Sequence, residues 1–317
     1  MSQDLQPPSK RHKRALSSET TNILRSCLAQ TQSMIAALAS SAELTEIVDR
    51  HPFEELSQML AAKLSGRVTY DFRGLKEVTL EGLDIVPAEC PLLLDQDQIP
   101  AVVSDSADRA KGRIWSSDML FRHLNMLNDF ASPNVAGARL WINAFFFRVN
   151  AMLDSADKGL VLSLEQRLDV PVGPRTVLGG FVDYAVLRGL KTVTGRFFPS
   201  SDLTLQRNRD SLSFFVEEVK SFDVSIEHFL PQTVGEMYAG MKAMQKDFIR
   251  GALTNGRTWI FIVVEAKESG GATYHRTSAI NLFDPPPSRM HYDRVLLKPR
   301  CDLVASIIAH WASSFSM

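Results

Sequence analysis

A change of period near Gly159 constrains this chain more than any other feature. Before it, apolar residues recur three and four positions apart, which is the spacing of one helix face. After it come short apolar runs of strand length, with a long helical segment set among them. Strands and helices in that order must bury their apolar faces against one another. The fold class expected is therefore α/β (α+β).

The local signals place the elements. Ile23, Leu24, Leu28, Ile35 and Leu38 follow a helical face behind Ser17 or Ser18 as cap. Pro52 to Leu64 predicts a second helix, with Glu54 and Glu55 near its positive end and Gly66 beyond its close. Between 67 and 103, Val68 to Phe72 and Val78 to Leu80 alternate, while Pro87, Pro91 and Pro100 interrupt; short strands and loops are expected there. Helix returns at about 117–130, behind Ser116 and Ser117, and again after Pro133-Asn134. In that helix Phe145-Phe146-Phe147 reads as core, too apolar on all sides to face water. Strands are expected at Val161–Leu164, Gly180–Leu187 and Leu212–Lys220. Pro231 opens a helix to about Ile249, because Val234, Met237, Met241, Met244 and Phe248 share a face; Gly251 and a Thr-Asn-Gly turn end it. Thr258–Glu265 reads as a buried strand, Tyr274–Phe283 as another, and 293–313 as a closing helix.

Composition sets the outer limits. At roughly 150 residues per domain, 317 residues suggest two domains, or one with a large extension. The 35 basic against 36 acidic residues exclude a histone-like protein, so nucleic-acid contact would need a local patch. The 45% of hydrophobic residues is enough for a core and excludes wholesale disorder or coiled coil. Cys27, Cys90 and Cys301 are too far apart for a disulfide framework or a thiolate zinc site. They read as small buried hydrophobes in a reducing, intracellular compartment. No apolar run is long enough to span a bilayer, and the polar N-terminus lacks the apolar segment of a secretory signal. Residues 1–16 read as a disordered basic tail. Its cluster Lys10, Arg11, His12, Lys13 and Arg14 has the form of a nuclear localisation signal and favours nucleus over cytoplasm; a solvated charge run is the alternative.

The chemistry concentrates in Asp183, Glu218 and Lys220. Asp183 sits in mid-strand, in Gly179-Gly180-Phe181-Val182-Asp183-Tyr184, and Glu218-Val219-Lys220 ends the next strand. Two acids on adjacent strands make an oxygen-ligand site suited to Mg²⁺ or Mn²⁺. In Glu-x-Lys both side chains point to one face. Glu218 can hold the metal while Lys220 orients or helps deprotonate an attacking water, and the Val219 carbonyl can also ligate. Those are the parts of metal-assisted phosphodiester hydrolysis. No P-loop, Gly-x-Ser-x-Gly or His-Glu-x-x-His is present, and the seven histidines show no metal-ligand spacing.

On these residues the chain resembles the PD-(D/E)xK nuclease-like superfamily, the restriction-endonuclease fold, over roughly residues 135–265. The Gly-x-x-Asp-Tyr, Val-Glu-x-Lys and Thr-Asn-Gly-x-x-Trp-x-Phe pieces look like those of fungal members. The resemblance implies a helix, a strand with an Asp, a strand ending in (Glu/Asp)-x-Lys, a helix bearing Gln and Tyr, and another strand. These would be 137–153, 180–187, 212–220, 231–249 and 258–265. Residues 17–130 read as a mainly helical region ahead of a 131–317 nuclease-like domain, for which the resemblance implies an α-β-β-β-α-β core. It also implies metal ligands Asp183, Glu218 and Val219, with Mg or Mn as cofactor if active, and nucleic acid as partner. Many members dimerise to cut two strands, so a homo-dimer stays open. Gln232 and Tyr238 would touch nucleic acid or brace the site, although Glu236 stands where the Tyr is usually found.

The chain departs from that pattern in three ways. Many members carry an acid on the first helix, whereas Ala136 to Leu153 contains no Glu, leaving Asn134, Asn143 or a water to substitute. The insert Arg188 to Asp210 is basic, through Arg188, Lys191, Arg196, Arg207 and Arg209, and reads as a phosphate-contacting loop or a solvated one. A rival Glu265-Ala266-Lys267 also ends a strand. Two functions therefore remain: a metal-dependent nuclease acting on DNA or RNA, or a catalytically inactive nuclease-like domain that binds nucleic acid or protein.

Overall fold

A computed structural model describes residues 18–40, 51–64, 68–92, 103–104, 112, 114–132, 134–153, 155–173, 175–192, 194–195, 212–218, 225–268, 270–284 and 295–313. The elements are α1 (Ser18–Ser40), α2 (His51–Leu64), β1 (Val68–Asp71), a 3-10 turn (Phe72–Gly74), α3 (Glu77–Glu81), β2 (Ile85–Pro87), α4 (Ser117–Phe130), α5 (Val135–Met152), β3 (Lys158–Gly173) and β4 (Thr176–Leu190). Then come β5 (Leu212–Glu218), a 3-10 turn (Ile226–Phe229), α6 (Leu230–Met244), β6 (Phe248–Thr254), β7 (Thr258–Ala266), β8 (Ala272–Arg276), β9 (Ile280–Asn281) and α7 (Lys298–Trp311). Caps set two helix starts: Ser116 Oγ accepts from the Met119 amide, and Asn134 Oδ1 from the Gly137 amide at 2.9 Å.

The chain forms two compact units. The smaller includes the described residues up to Val68, with Arg175 and Thr176. Within it α1 packs against α2, and the Val68 amide donates to the Arg175 carbonyl at 2.7 Å. The boundary falls at Val68 rather than near 130. Residues 117–130 belong to the larger unit because Leu120, Leu124 and Leu127 share a core with α5 and α7.

The larger unit is mixed α/β. Among the described residues the strands form one sheet in the order β1-β4-β5-β6-β7-β8-β2, with β3 paired to β4 and β9 to β7. β4 runs antiparallel to β5, from Tyr184 opposite Val216 to Arg188 opposite Leu212. β5 runs parallel to β6, from Phe214 beside Arg250 to Glu218 beside Thr254. A parallel pair needs a crossover, and α6 is the helix within it. One face of the sheet buries Val182, Ala185, Ile249, Leu253, Ile260 and Ile262 with Val234, Met237 and Met241 of α6. The other buries Tyr184, Val186, Ala252, Trp259 and Phe261 with apolar residues of α4, α5 and α7. Phe146 packs on Tyr184 with ring centroids 5.7 Å apart, and Phe145 meets Trp259 edge-on at 5.1 Å.

Several expectations are corrected. Val78 to Leu80 is helical, inside α3; three alternating residues are too few to define a strand, and only Leu80 of these turns inward. The helix opened by Pro231 stops at Met244, because Gln245 adopts a left-handed conformation (φ 55°, ψ 46°). Phe248–Thr254 is then a strand, and Gly251 is one of its paired residues rather than a helix stop. Phe248 matched the helical period by coincidence. The strand that follows α6 is therefore β6, and 258–265 belongs to the one after it. Tyr274–Phe283 divides into β8 and β9, and the closing helix starts at Lys298. Phe145 and Phe146 are core, but Phe147 is 47% exposed and lies against Trp115. Cys301 is buried, whereas Cys27 and Cys90 are exposed.

The Thr-Asn-Gly turn joins β6 to β7 through its own side chains. Thr254 Oγ1 donates to the Thr258 carbonyl (2.7 Å) and accepts from the Gly256 amide (2.9 Å). Asn255 Oδ1 accepts from the amides of Arg257 (3.0 Å) and Thr258 (2.8 Å). Gly256 has φ +82°, and a Cβ there would lie 2.6 Å from Trp141 Cβ. Gly256→Ala is expected to lower unfolding stability by about 2 kcal/mol, from strain and displacement of α5 together. A urea titration would check it; an unchanged midpoint would contradict the packing described.

Candidate functional site

Asp183 sits where β4 changes face. Val182 points into the α6 core and Tyr184 into the α5 core, although strict alternation would put both on one side. The pleat therefore slips by one residue at Asp183, as in a bulge. Its carboxylate emerges toward α5 and keeps 22% exposure. Gly180, three residues earlier, has φ +148° and passes beneath Phe72, whose ring would lie 2.7 Å from an added Cβ. The Gly-x-x-Asp spelling is thus partly a packing requirement.

β5 brings Glu218 to the same end of the sheet. The last pair between β4 and β5 is Tyr184 with Val216; Asp183 immediately precedes it and Glu218 follows it by two. Glu218 also lies at the register of Thr254 on β6. Val219 and Lys220 lie outside the described residues, as do Arg196, Lys10, Arg11, Lys13 and Arg14.

From the helix side, Arg139 rather than an acid approaches Asp183. The Arg139 guanidinium lies 3.4 Å from Asp183 Oδ1 and 2.9 Å from Glu165 Oε1 on β3. Glu165 has φ +53°, a conformation that costs a non-glycine residue about 1 kcal/mol or more. One turn along α5 from Arg139, the buried Asn143 Oδ1 has no hydrogen-bond partner among the described residues. Sequence reasoning passed over Arg139 and Glu165. The available signal was that α5 carries only two charged residues, Arg139 and Arg148, in an apolar run. Arg148 is buried and donates to the Trp115 carbonyl at 2.9 Å, so it braces α4 to α5.

The donor chemistry suits a hard cation. Asp183 offers carboxylate oxygen, and a guanidinium held between Asp183 and Glu165 already stands in for positive charge there. Among the described residues, no group of three or more His, Cys, Asp or Glu is placed to hold a metal ion.

The other expected contacts divide. Tyr238 is buried in the α6 core, and its hydroxyl is pushed up, by burial first and by Asp84 second. The Lys242 ammonium lies 5.3 Å from the Tyr238 ring centroid. Gln232 Nε2 donates to Glu236 Oε1 at 3.0 Å, with Glu236 itself buried. Arg188 belongs to β4 rather than a loop, and its Nη1 donates to the Ala312 carbonyl at 3.1 Å. Lys191 is exposed just beyond β4. In the rival motif, Lys267 Nζ binds Asp84 through the carboxylate (2.8 Å) and the carbonyl (3.1 Å), while Glu265 lies 4.0 Å from His275. Its lysine and acid serve separate partners.

A second polar cluster joins α4 to α7. Ser117 Oγ donates to Asp302 Oδ1 at 2.6 Å, and Lys298 Nζ donates to Asp302 Oδ2 at 2.9 Å and to Ser117 Oγ. A serine–lysine pair can be nucleophilic only when the lysine loses its proton. Here burial pulls the Lys298 ammonium down, but hydrogen bonding and charge from Asp302, then charge from Asp118, outweigh it and raise it overall. The lysine stays charged, so the cluster is a tie between helices.

No protein-family model matches the chain, and no curated protein matches it. Among the described residues no helix is long and apolar enough to cross a membrane.

Asp302→Asn removes the carboxylate from the tie and is expected to cost about 1 kcal/mol, since Lys298 is partly exposed. Because the folded state raises the lysine above its usual 10.5, the lysine's contribution is full below that pH and is lost as pH rises through the higher folded value. Urea midpoints of wild type and variant should keep a constant gap through neutral pH. The gap should narrow only above about pH 10.5.

Proposed function

We propose that the chain is a PD-(D/E)xK nuclease-like protein that hydrolyses phosphodiester bonds of DNA or RNA. The observation carrying this reading is the placement of Asp183, in mid-β4, and Glu218, at the end of β5, just beyond the last pair between the two strands. These two strands lie in the succession α5-β3-β4-β5-α6-β6, and α6 links β5 to its parallel neighbour β6. Asp183 and Glu218 would hold a Mg²⁺ or Mn²⁺ ion, with the Val219 carbonyl as a further ligand. The metal, when bound, lowers the pKa of a coordinated water and neutralises charge on the phosphate. Lys220 would orient the attacking water and help take its proton. Gln232 and Tyr238 brace the helix behind β5 rather than meeting the substrate. The basic cluster at Lys10, Arg11, Lys13 and Arg14 would direct the protein to the nucleus, where such substrates are found.

Arg139 favours a second reading. Its contact with Asp183 places a fixed cation where hydrolysis needs an accessible carboxylate. A nuclease-like domain in that state would bind nucleic acid or protein without cutting.

Cleavage of single- and double-stranded DNA and RNA with Mg²⁺ or Mn²⁺ separates the two. Metal-dependent cutting by the wild type is expected, reduced at least about a hundredfold in Asp183→Asn, Glu218→Ala and Lys220→Ala. Cutting that survives all three variants would move the centre elsewhere, with Glu265 and Lys267 tested next. Retention of nucleic acid by a folded wild type that never cuts would favour the second reading.

A further inference from the structure

We propose that Arg139 is a built-in cation that competes with a divalent metal ion for Asp183, so that this arginine sets how readily the site takes up metal. The proposal rests on the reading of Asp183 as the metal-facing carboxylate and concerns how that site is regulated.

Three observations carry it. First, the guanidinium bridges carboxylates from two different strands, Asp183 of β4 and Glu165 of β3. A divalent ion seeking Asp183 oxygen would meet a positive charge already beside it, and the two would repel. Second, the contacts are unequal: 2.9 Å to Glu165 against 3.4 Å to Asp183. The longer contact, to Asp183, is the one a metal ion would displace, while the shorter contact to Glu165 holds the guanidinium. Third, Glu165 is held at φ +53° on a strand, a conformation that persists only where surrounding structure enforces it. The enforced residue is the one that holds the arginine.

Arg139 also differs from Arg148, the other charged residue of α5. Arg148 is buried and donates to a backbone carbonyl, as a bracing residue does. Arg139 is one-third exposed and bonds carboxylates on two different strands.

The test is a Mn²⁺ titration of the full chain, followed by the electron paramagnetic resonance of free Mn²⁺. Wild type is compared with Arg139→Gln, Arg139→Lys, Asp183→Asn and the double variant Arg139→Gln/Asp183→Asn. Thermal melts establish that each is folded, and Arg139→Met, which keeps the apolar stem, replaces the glutamine variant if that one unfolds. Arg139→Gln is expected to bind Mn²⁺ about tenfold tighter than wild type. Arg139→Lys keeps the charge and should stay near wild type. The gain should vanish in the double variant. A purely bracing role for Arg139 would lower the melting temperature and leave Mn²⁺ affinity unmoved. The proposal is overturned if Arg139→Gln binds no tighter than wild type, or if its gain survives removal of Asp183. Its failure is separable from failure of the nuclease reading. Tighter Mn²⁺ binding that depends on Asp183, with no variant cutting nucleic acid, leaves the competition standing and removes the nuclease. Cutting by wild type with the same metal dependence in Arg139→Gln does the reverse.

Discussion

The larger unit depends on a sheet that is buried on both faces. β6 and β7 are almost wholly buried, with Ile249, Leu253, Ile260 and Ile262 on one face and Ala252, Trp259 and Phe261 on the other. A strand of that kind needs a helix on each side and a hydrogen-bonded neighbour at each edge. α6 covers the first face, and α4, α5 and α7 cover the second. Once β5 and β6 run parallel, the chain between them must cross over, and the end of β5 is left beside the middle of β4. The backbone positions of Asp183 and Glu218 meet there as a result of the packing.

Electrostatics then decides what that meeting can do. An exposed ion pair is a weak stabiliser, worth at most about 1 kcal/mol, so the Arg139 contact matters less for folding than for what it occupies. It satisfies Asp183 with a cation supplied by the chain itself. The polar ties elsewhere have a different character. Arg148, Arg250 and the cluster of Ser117, Lys298 and Asp302 each join a helix to a neighbouring segment. Their titrating groups are shifted by burial and by one another rather than by an open site. The Cys301 thiol, pushed up to about 12 by burial and then Asp302, belongs with them as an inert core residue.

Much of this was legible from residues a few positions apart. Ser116 and Asn134 announced α4 and α5 because an N-cap is a local hydrogen bond. The alternating and apolar runs announced β4, β5 and β7, and the two strands carrying Asp183 and Glu218 were read in the right order. β6 was lost because Phe248 and Ile249 prolong a helical stripe by chance. The left-handed Gln245 that separates helix from strand has no glycine to signal it.

The sequence by itself determined the kinds of element, their order, and the strands on which the acids sit, since periodicity and capping act over one or two turns of chain. Only the tertiary structure decided that the pleat slips at Asp183, that Glu165 takes a positive φ, and that Arg139 reaches both carboxylates. Those contacts join residues 26 and 44 positions apart. Such pairings depend on which elements the buried faces bring together, and no local rule of spacing contains that information.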